Sequence, residues 1–239
     1  MRLILSLAMS LLLCSSLFAQ KKGEDKDWAL YSRYAGANDT ITVAPKAVFM
    51  GNSITENWLK FHPDFFRNNG YAARGISGQT TYHMLARFHS DVVALKPQVV
   101  VILSGINDIA RNSGIISLEN IMGNIISMCD IARANGIVPI LCSILPADRF
   151  SWRPDLKPAP LVVELNGMIK AYAQETGLEY VDYYTSLADE NGALKEGLSK
   201  DRCHPYPDVY IQMEEKVVEA IEKVTSKKGG KKAKRNNKK

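Results

Sequence analysis

Short apolar runs alternate with longer amphipathic stretches from residue 46 to about residue 225. The runs 47–50, 71–74, 98–103, 137–144 and 178–183 have the length of strands. The third of them continues Gln98 with Val99, Val100, Val101, Ile102 and Leu103. An unbroken apolar run suits a strand covered on both faces, as in a parallel sheet. Helical patterns lie between and after these runs, at 56–69 (interrupted at Pro63), 80–95, 117–134, 161–175 and 207–224. The stretch 117–134 is the clearest: Ser117 is placed to cap it, Leu118, Ile121, Met122, Ile125, Cys129 and Ala132 fall on one face, and Gly136 stops it. Strands of this length alternating with helices predict βαβ units. The expected fold is therefore α/β, with a central parallel sheet between two helical layers. Ahead of this domain, 27–37 is predicted as a short helix with Trp28, Tyr31 and Tyr34 about a turn apart.

In such sheets chemistry gathers at the carboxyl ends of the strands. That rule selects Ser53 after the first strand, Ser77 and Gly78 after the second, 105–108 after the third, the loop 146–160 after the fourth, and 201–205 after the last. In Phe49-Met50-Gly51-Asn52-Ser53-Ile54-Thr55 the serine stands at a strand-to-helix turn, where free amides and the helix dipole face an approaching group. Acyl transfer through serine needs a base, a carboxylate that orients the base, and donors for the oxyanion. Of the four histidines, His62, His83 and His89 sit in or beside helical patterns and read as structural or surface residues. His204 sits in a loop before Pro205, with Asp201 three residues earlier, a spacing that can bring carboxylate and imidazole together. The donors would be the Ser53 and Gly78 amides and the Asn107 side chain.

Composition adds the ends of the chain to this picture. The 239 residues carry 30 Lys and Arg against 25 Asp and Glu. Residues 1–19 read as a secretory signal: Arg2, then an apolar run from Leu3 to Leu13, then small residues to Ala19. Cys14 would be the site of a lipid anchor, but Leu13 before it is larger than a lipoprotein signal uses, so cleavage after Ala19 is the expected processing. Residues 20–45 read as an N-terminal arm, 46–225 as one domain, and 226–239 as a disordered Lys-rich tail. Eight of the last thirteen residues are Lys or Arg; without them and Arg2, 21 basic residues face 25 acidic ones, so the body is mildly acidic. The tail suits an anionic surface, whereas the body has no basic stripe interleaved with aromatics and no nucleic-acid partner is expected for it. Cys129, Cys142 and Cys203 are an odd number at wide spacing, neither a disulfide framework nor a zinc site. No motif marks an oligomeric state.

Gly51-Asn52-Ser53-Ile54-Thr55, Arg74-Gly75-Ile76-Ser77-Gly78-Gln79-Thr80-Thr81, Gly105-Ile106-Asn107-Asp108 and Asp201-Arg202-Cys203-His204-Pro205 resemble, in order, the four sequence blocks of the SGNH hydrolases, also called the GDSL esterase/lipase family. The resemblance covers essentially all of 46–225. It implies a flavodoxin-like α/β/α fold, Ser53 as nucleophile, His204 as base, Asp201 as orienting acid, an oxyanion hole of Ser53, Gly78 and Asn107, and no metal or other cofactor. The wording of the blocks is most similar to bacterial secreted members related to platelet-activating-factor acetylhydrolase subunits and carbohydrate acetylesterases. Three departures stand out. Asn52 replaces the usual Asp, at a position outside the triad. Arg202-Cys203 replaces Gly and a small apolar residue, and Tyr206-Pro207 stands where a small polar helix cap is usual.

The loop 146–160 is long for its fold. Arg149 and Trp152 within it, with Trp58 and Tyr82 a few residues beyond two of the blocks, are expected at the pocket mouth. Aromatics with arginine suit a sugar or an acidic head group, and the lack of an apolar cap domain favours short acyl groups. The expected activity is that of a secreted or periplasmic serine esterase removing acetyl or similar groups from a small-molecule or glycan ester. A lysophospholipase or thioesterase of the same family, or a catalytically inactive ligand-binding homologue, are the alternatives.

Overall fold

The computed structural model describes residues 27–236, with side chains to Ser226. The leader with Cys14 and the tail's side chains lie outside the described residues. Five parallel strands form one sheet in the order β2-β1-β3-β4-β5: β1 Ala47–Gly51, β2 Tyr71–Gly75, β3 Val99–Leu103, β4 Val138–Cys142 and β5 Glu179–Val181. Every residue of β1, β2 and β3 is buried, as the unbroken apolar runs predict. Alternate residues serve opposite faces. Val48, Met50, Val100 and Ile102 meet helices Thr81–Asp91, Leu118–Ala134 and Ala159–Thr176 on one side. Ala47, Phe49, Val99 and Val101 meet helices Ser53–Phe61, Pro63–Asn69 and Val209–Asn236 on the other, which completes the three-layer α/β/α arrangement.

Register then determines where chemistry can occur. Gly51 pairs with Gly75 on one side and with Leu103 on the other, so β1, β2 and β3 end level. The chain passes from β1 to β2 on one flank and to β3 on the other, so the crevice lies where the strand order reverses. Helix Ser53–Phe61 sits directly on these ends. A Cβ at Gly51 would lie 2.1 Å from Thr55 Oγ1, and one at Gly75 would lie 2.3 Å from the Glu56 nitrogen. Only glycine permits that approach.

A fully buried arginine ties the same ends together. Arg87 donates from Nη2 to the carbonyls of Gly51 (3.2 Å) and Arg74 (2.9 Å), from Nε to Gln79 Oε1 (2.6 Å), and from Nη1 to Asp91 Oδ2 (2.8 Å). Replacing it with methionine would leave the Asp91 carboxylate buried without its cation. The expected cost is about 3–5 kcal/mol of unfolding free energy, measured by denaturant titration, with partial recovery in the Arg87→Met/Asp91→Leu double variant.

Several segments differ from the sequence reading: β4 and β5 are shorter than the runs 137–144 and 178–183, short helices at Ile106–Ile109 and Tyr184–Leu187 are added, and three helical segments change in extent or continuity. The predicted helix 27–37 is two short turns, Tyr31–Arg33 and Ala35–Asp39, because Leu30 takes a left-handed conformation and Asp27 accepts the Tyr31 and Ser32 amides, each at 2.8 Å. Helix Thr81–Asp91 stops before a separate turn, Val93–Leu95. The last helix runs to Asn236 rather than 224, with no proline to break it, and continues through Gly229 and Gly230 despite their low helix propensity. Among the described residues no helix is long and apolar enough to cross a membrane.

Candidate active site

Ser53 is the first residue of helix Ser53–Phe61, and Asn52 caps that helix by accepting the Ile54 amide at 3.0 Å. Asn52 is itself buried, so its place in the block is structural. The turn leaves Ser53 Oγ 2.9 Å from His204 Nε2. His204 Nδ1 lies 2.7 Å from Asp201 Oδ2. The other carboxylate oxygen accepts the Cys203 amide (3.0 Å), the His204 amide (2.8 Å) and the Ser199 hydroxyl (3.1 Å). Partial burial pushes the Asp201 carboxyl up. The His204 amide and imidazole, with the Cys203 amide, outweigh that and hold it down at about 2.

The departure at Arg202 has a structural cost and a counterweight. Its φ is +63°, the left-handed region that glycine enters freely and an arginine does not. Its guanidinium is held across the loop, with Nε donating to Asp148 Oδ1 at 2.8 Å and Nη2 lying 3.6 Å from Asp189 Oδ2. The long side chain therefore supplies a tether where the backbone lacks glycine. Cys203 is buried, and burial followed by the Asp201 charge pushes its thiol up to about 12, which keeps it protonated at neutral pH.

Gly78, at φ +79°, and Asn107 face the same cleft as Ser53 and His204. The Asn107 amide donates one hydrogen to the Gln79 carbonyl at 2.9 Å, which fixes its plane. Asp108 beside it accepts the Thr81 amide (2.9 Å) and the Thr81 hydroxyl (2.6 Å), binding the third block to the second. Burial raises the Asp108 carboxyl to about 6 even so. The cleft, of about 390 Å³, is completed by Asn57, Ser77, Asn112 and Trp152. Trp152 is 40% exposed, rests on buried Phe150 at 5.0 Å, and donates from Nε1 to Asn112 Oδ1 at 3.1 Å.

Three residues expected at the pocket mouth are elsewhere. Trp58 is 1% exposed and packs among Phe49, Phe65, Phe66 and Tyr210, with Nε1 donating to Glu214 at 2.9 Å. Five residues along a helix is a rotation of about 140° from Ser53, which turns Trp58 onto the sheet. Tyr82 is half-exposed and stacks on His83 and Trp28, because the buried face of its helix is made by Thr81, Met84, Arg87 and Phe88. Arg149 points to solvent beside Asp148, 3.7 Å away. Asn57, midway along helix Ser53–Phe61, and Asn112, in a loop, carry no pattern in the sequence that marks them for the cleft.

Comparison with known proteins agrees with this fold and gives its family. The profile of the GDSL-like Lipase/Acylhydrolase family matches residues 49–210. The chain is similar to a protein of Bacteroides fragilis NCTC 9343 assigned as an acylhydrolase, with 46% identity, 84% of this chain and 99% of that one covered, and a TM-score of 0.81. It is equally similar to a GDSL-like lipase of Bacteroides thetaiotaomicron VPI-5482, with 46% identity, coverage of 83% and 100%, and a TM-score of 0.80. An uncharacterized lipoprotein of Bacillus subtilis, YqeF, is 35% identical over 75 residues, a match to 30% of this chain and about a third (31%) of that relative. The chain belongs to the GDSL-like lipase/acylhydrolase family, the SGNH hydrolases, a family of carboxylic ester hydrolases.

Proposed function

We propose that this protein is a serine esterase that removes acetyl or similarly short acyl groups from a carbohydrate or another polar ester. The observation that carries the reading is the relay from Asp201 through His204 to Ser53, at 2.7 and 2.9 Å. Both distances lie within the range for proton transfer, about 2.6–3.2 Å, which favours a catalyst over an inactive binding module. Ser53 Oγ attacks the acyl carbon while His204 Nε2 takes its proton. The oxyanion accepts from the Ser53 and Gly78 amides and from Asn107. The leaving alkoxide receives the proton from His204, and water then attacks the acyl-enzyme by the same route in reverse. Asp201 holds the imidazole with its proton on Nδ1 throughout.

The cleft's lining supports the substrate class. Asn57, Ser77 and Asn112 offer hydrogen bonds, and the face of Trp152 offers a platform for a sugar ring, its ring centre lying 6.3 Å from that of His204. A cleft of about 390 Å³ suits a short acyl group. The leader at 1–19 and the lipoprotein relative support a location outside the cytoplasm, secreted or periplasmic, with Cys14 the place a lipid anchor would take; the charge of the Lys-rich end suits an anionic surface.

A p-nitrophenyl ester series and a panel of O-acetylated glycans, read by released acetate, test the reading. kcat/KM is expected to peak at acetate and fall with chain length. Trp152→Ala is expected to raise KM for an acetylated oligosaccharide about fivefold to tenfold, the loss of a stacking contact of about 1–1.5 kcal/mol, and to change the aryl acetate little. A rate that climbs toward long acyl chains would instead support a lysophospholipase or thioesterase.

A further inference from the structure

The helix that begins with Ser53 also carries a carboxylate that the acyl-transfer scheme does not use. Glu56 lies three residues on, close to the same helix face. Its Oε2 accepts the Ser77 amide at 2.8 Å and also the Ser77 hydroxyl, and its Oε1 accepts Arg33 Nη2 at 2.7 Å. Burial pushes the Glu56 carboxyl up, and the bonds from Ser77 and Arg33 outweigh it, so it is held below its ordinary value. The residue after Ser77 is Gly78, whose amide belongs to the proposed oxyanion hole. Ile76 and Gln79 are buried at the two ends of this turn, whereas a Cβ at Gly78 would meet nothing within 4 Å, so its exposed middle is not held by packing. Polar ties add to the buried ends. The Tyr34 hydroxyl donates to the Gly75 carbonyl, and Gln79 Nε2 donates to the Ala29 carbonyl at 2.8 Å. Arg74 Nε donates to Asn38 Oδ1 at 2.8 Å. Glu56 at Ser77 and the segment 27–41 at Gly75 and Gln79 thus fasten the turn 76–79 together with Arg87 and Asn107, which bond Gln79.

We propose that Glu56, braced by Arg33, is a positioning residue that sets the spacing between the Ser53 and Gly78 amides, and that the N-terminal segment is part of the active-site frame. The inference rests on the esterase reading above. Oxyanion donors act only within about 2.7–3.1 Å of the developing charge, and a misplacement of about 1 Å can cost about a hundredfold in rate. A carboxylate on the nucleophile's own helix makes the two donors move as one unit.

Glu56→Ala, Glu56→Gln and Arg33→Ala, beside the wild type, test this by three readouts: kcat and KM for p-nitrophenyl acetate, affinity for an aryl boronic acid that forms a tetrahedral adduct on serine, and hydrogen exchange of the amides 76–79. In Glu56→Ala, kcat is expected to fall about tenfold to a hundredfold with KM within about twofold. Boronate binding should weaken by the same factor, and amides 76–79 should exchange faster. Glu56→Gln keeps an acceptor for the Ser77 amide and is expected to recover part of kcat. Arg33→Ala should move in the same direction by less, since its partner is held through a half-exposed ion pair. Wild-type kcat in Glu56→Ala, or unchanged exchange at 76–79, would overturn the proposal. A wild type inactive on every ester would sink the esterase reading alone, and the exchange measurement would still decide whether Glu56 holds the turn. Should Glu56→Ala fail to fold, Glu56→Gln and Arg33→Ala carry the same comparison.

Discussion

Ser53→Ala is expected to lower kcat for an aryl acetate by about 10⁴–10⁶-fold while leaving the protein folded. The Ser53 hydroxyl has one side-chain partner among the hydrogen bonds at the site, His204, so its removal orphans no buried group other than the imidazole edge that faces the cleft. The helix keeps its cap, because Asn52 and not Ser53 accepts the Ile54 amide. Unfolding free energy should therefore change by no more than about 0.5 kcal/mol. Steady-state turnover with a melting curve checks both halves. Turnover at the wild-type rate would remove Ser53 from the mechanism, and with it the relay on which the proposed function stands.

Asp201→Asn should lower kcat by about 10⁴-fold through the tautomer of His204. Asparagine can keep its oxygen for the Cys203 and His204 amides, so the turn survives. Its NH₂ group then faces Nδ1, which can no longer carry the proton. The proton moves to Nε2, and Nε2 cannot accept from Ser53. Asp201→Ala is the contrasting variant: it also loses the anchor of a turn in which Arg202 is already at φ +63°. The same carboxylate affects acid stability. Its folded value, about 2, lies below the ordinary 3.8, so its contribution is present above 3.8 and is lost as pH falls through 2. Acid unfolding of Asp201→Asn is thus expected to show a shallower dependence between about pH 4 and pH 2, monitored by circular dichroism.

Much of this site was readable along the chain. The buried strands announced themselves as unbroken apolar runs, and each of the four blocks follows a strand or precedes the closing helix. Arg202 and Cys203 were readable as departures, but not their resolution. The tether to Asp148 joins residues 54 apart in sequence, and no local pattern encodes it. Trp58 shows the opposite case. Its proximity to Ser53 in sequence suggested the pocket, and helical phase placed it in the core. Glu56, 21 residues from Ser77 and 23 from Arg33, had no signal beyond being a glutamate in the first turn of a helix.

The sequence by itself determined the alternation of strand and helix, the three-layer fold, the family, and the short list of side chains at strand ends. The alternation and the fold follow from periodicity, the family from the resemblance of four blocks in order, and the short list from residue types whose chemistry is local. Only the tertiary structure decided which of them meet. Ser53 and His204 are 151 residues apart and come within 2.9 Å because β1, β2 and β3 end level and the Asp201 turn closes over that edge. Level strand ends depend on register, register depends on how two buried faces pack at once, and no single segment of the chain contains that information.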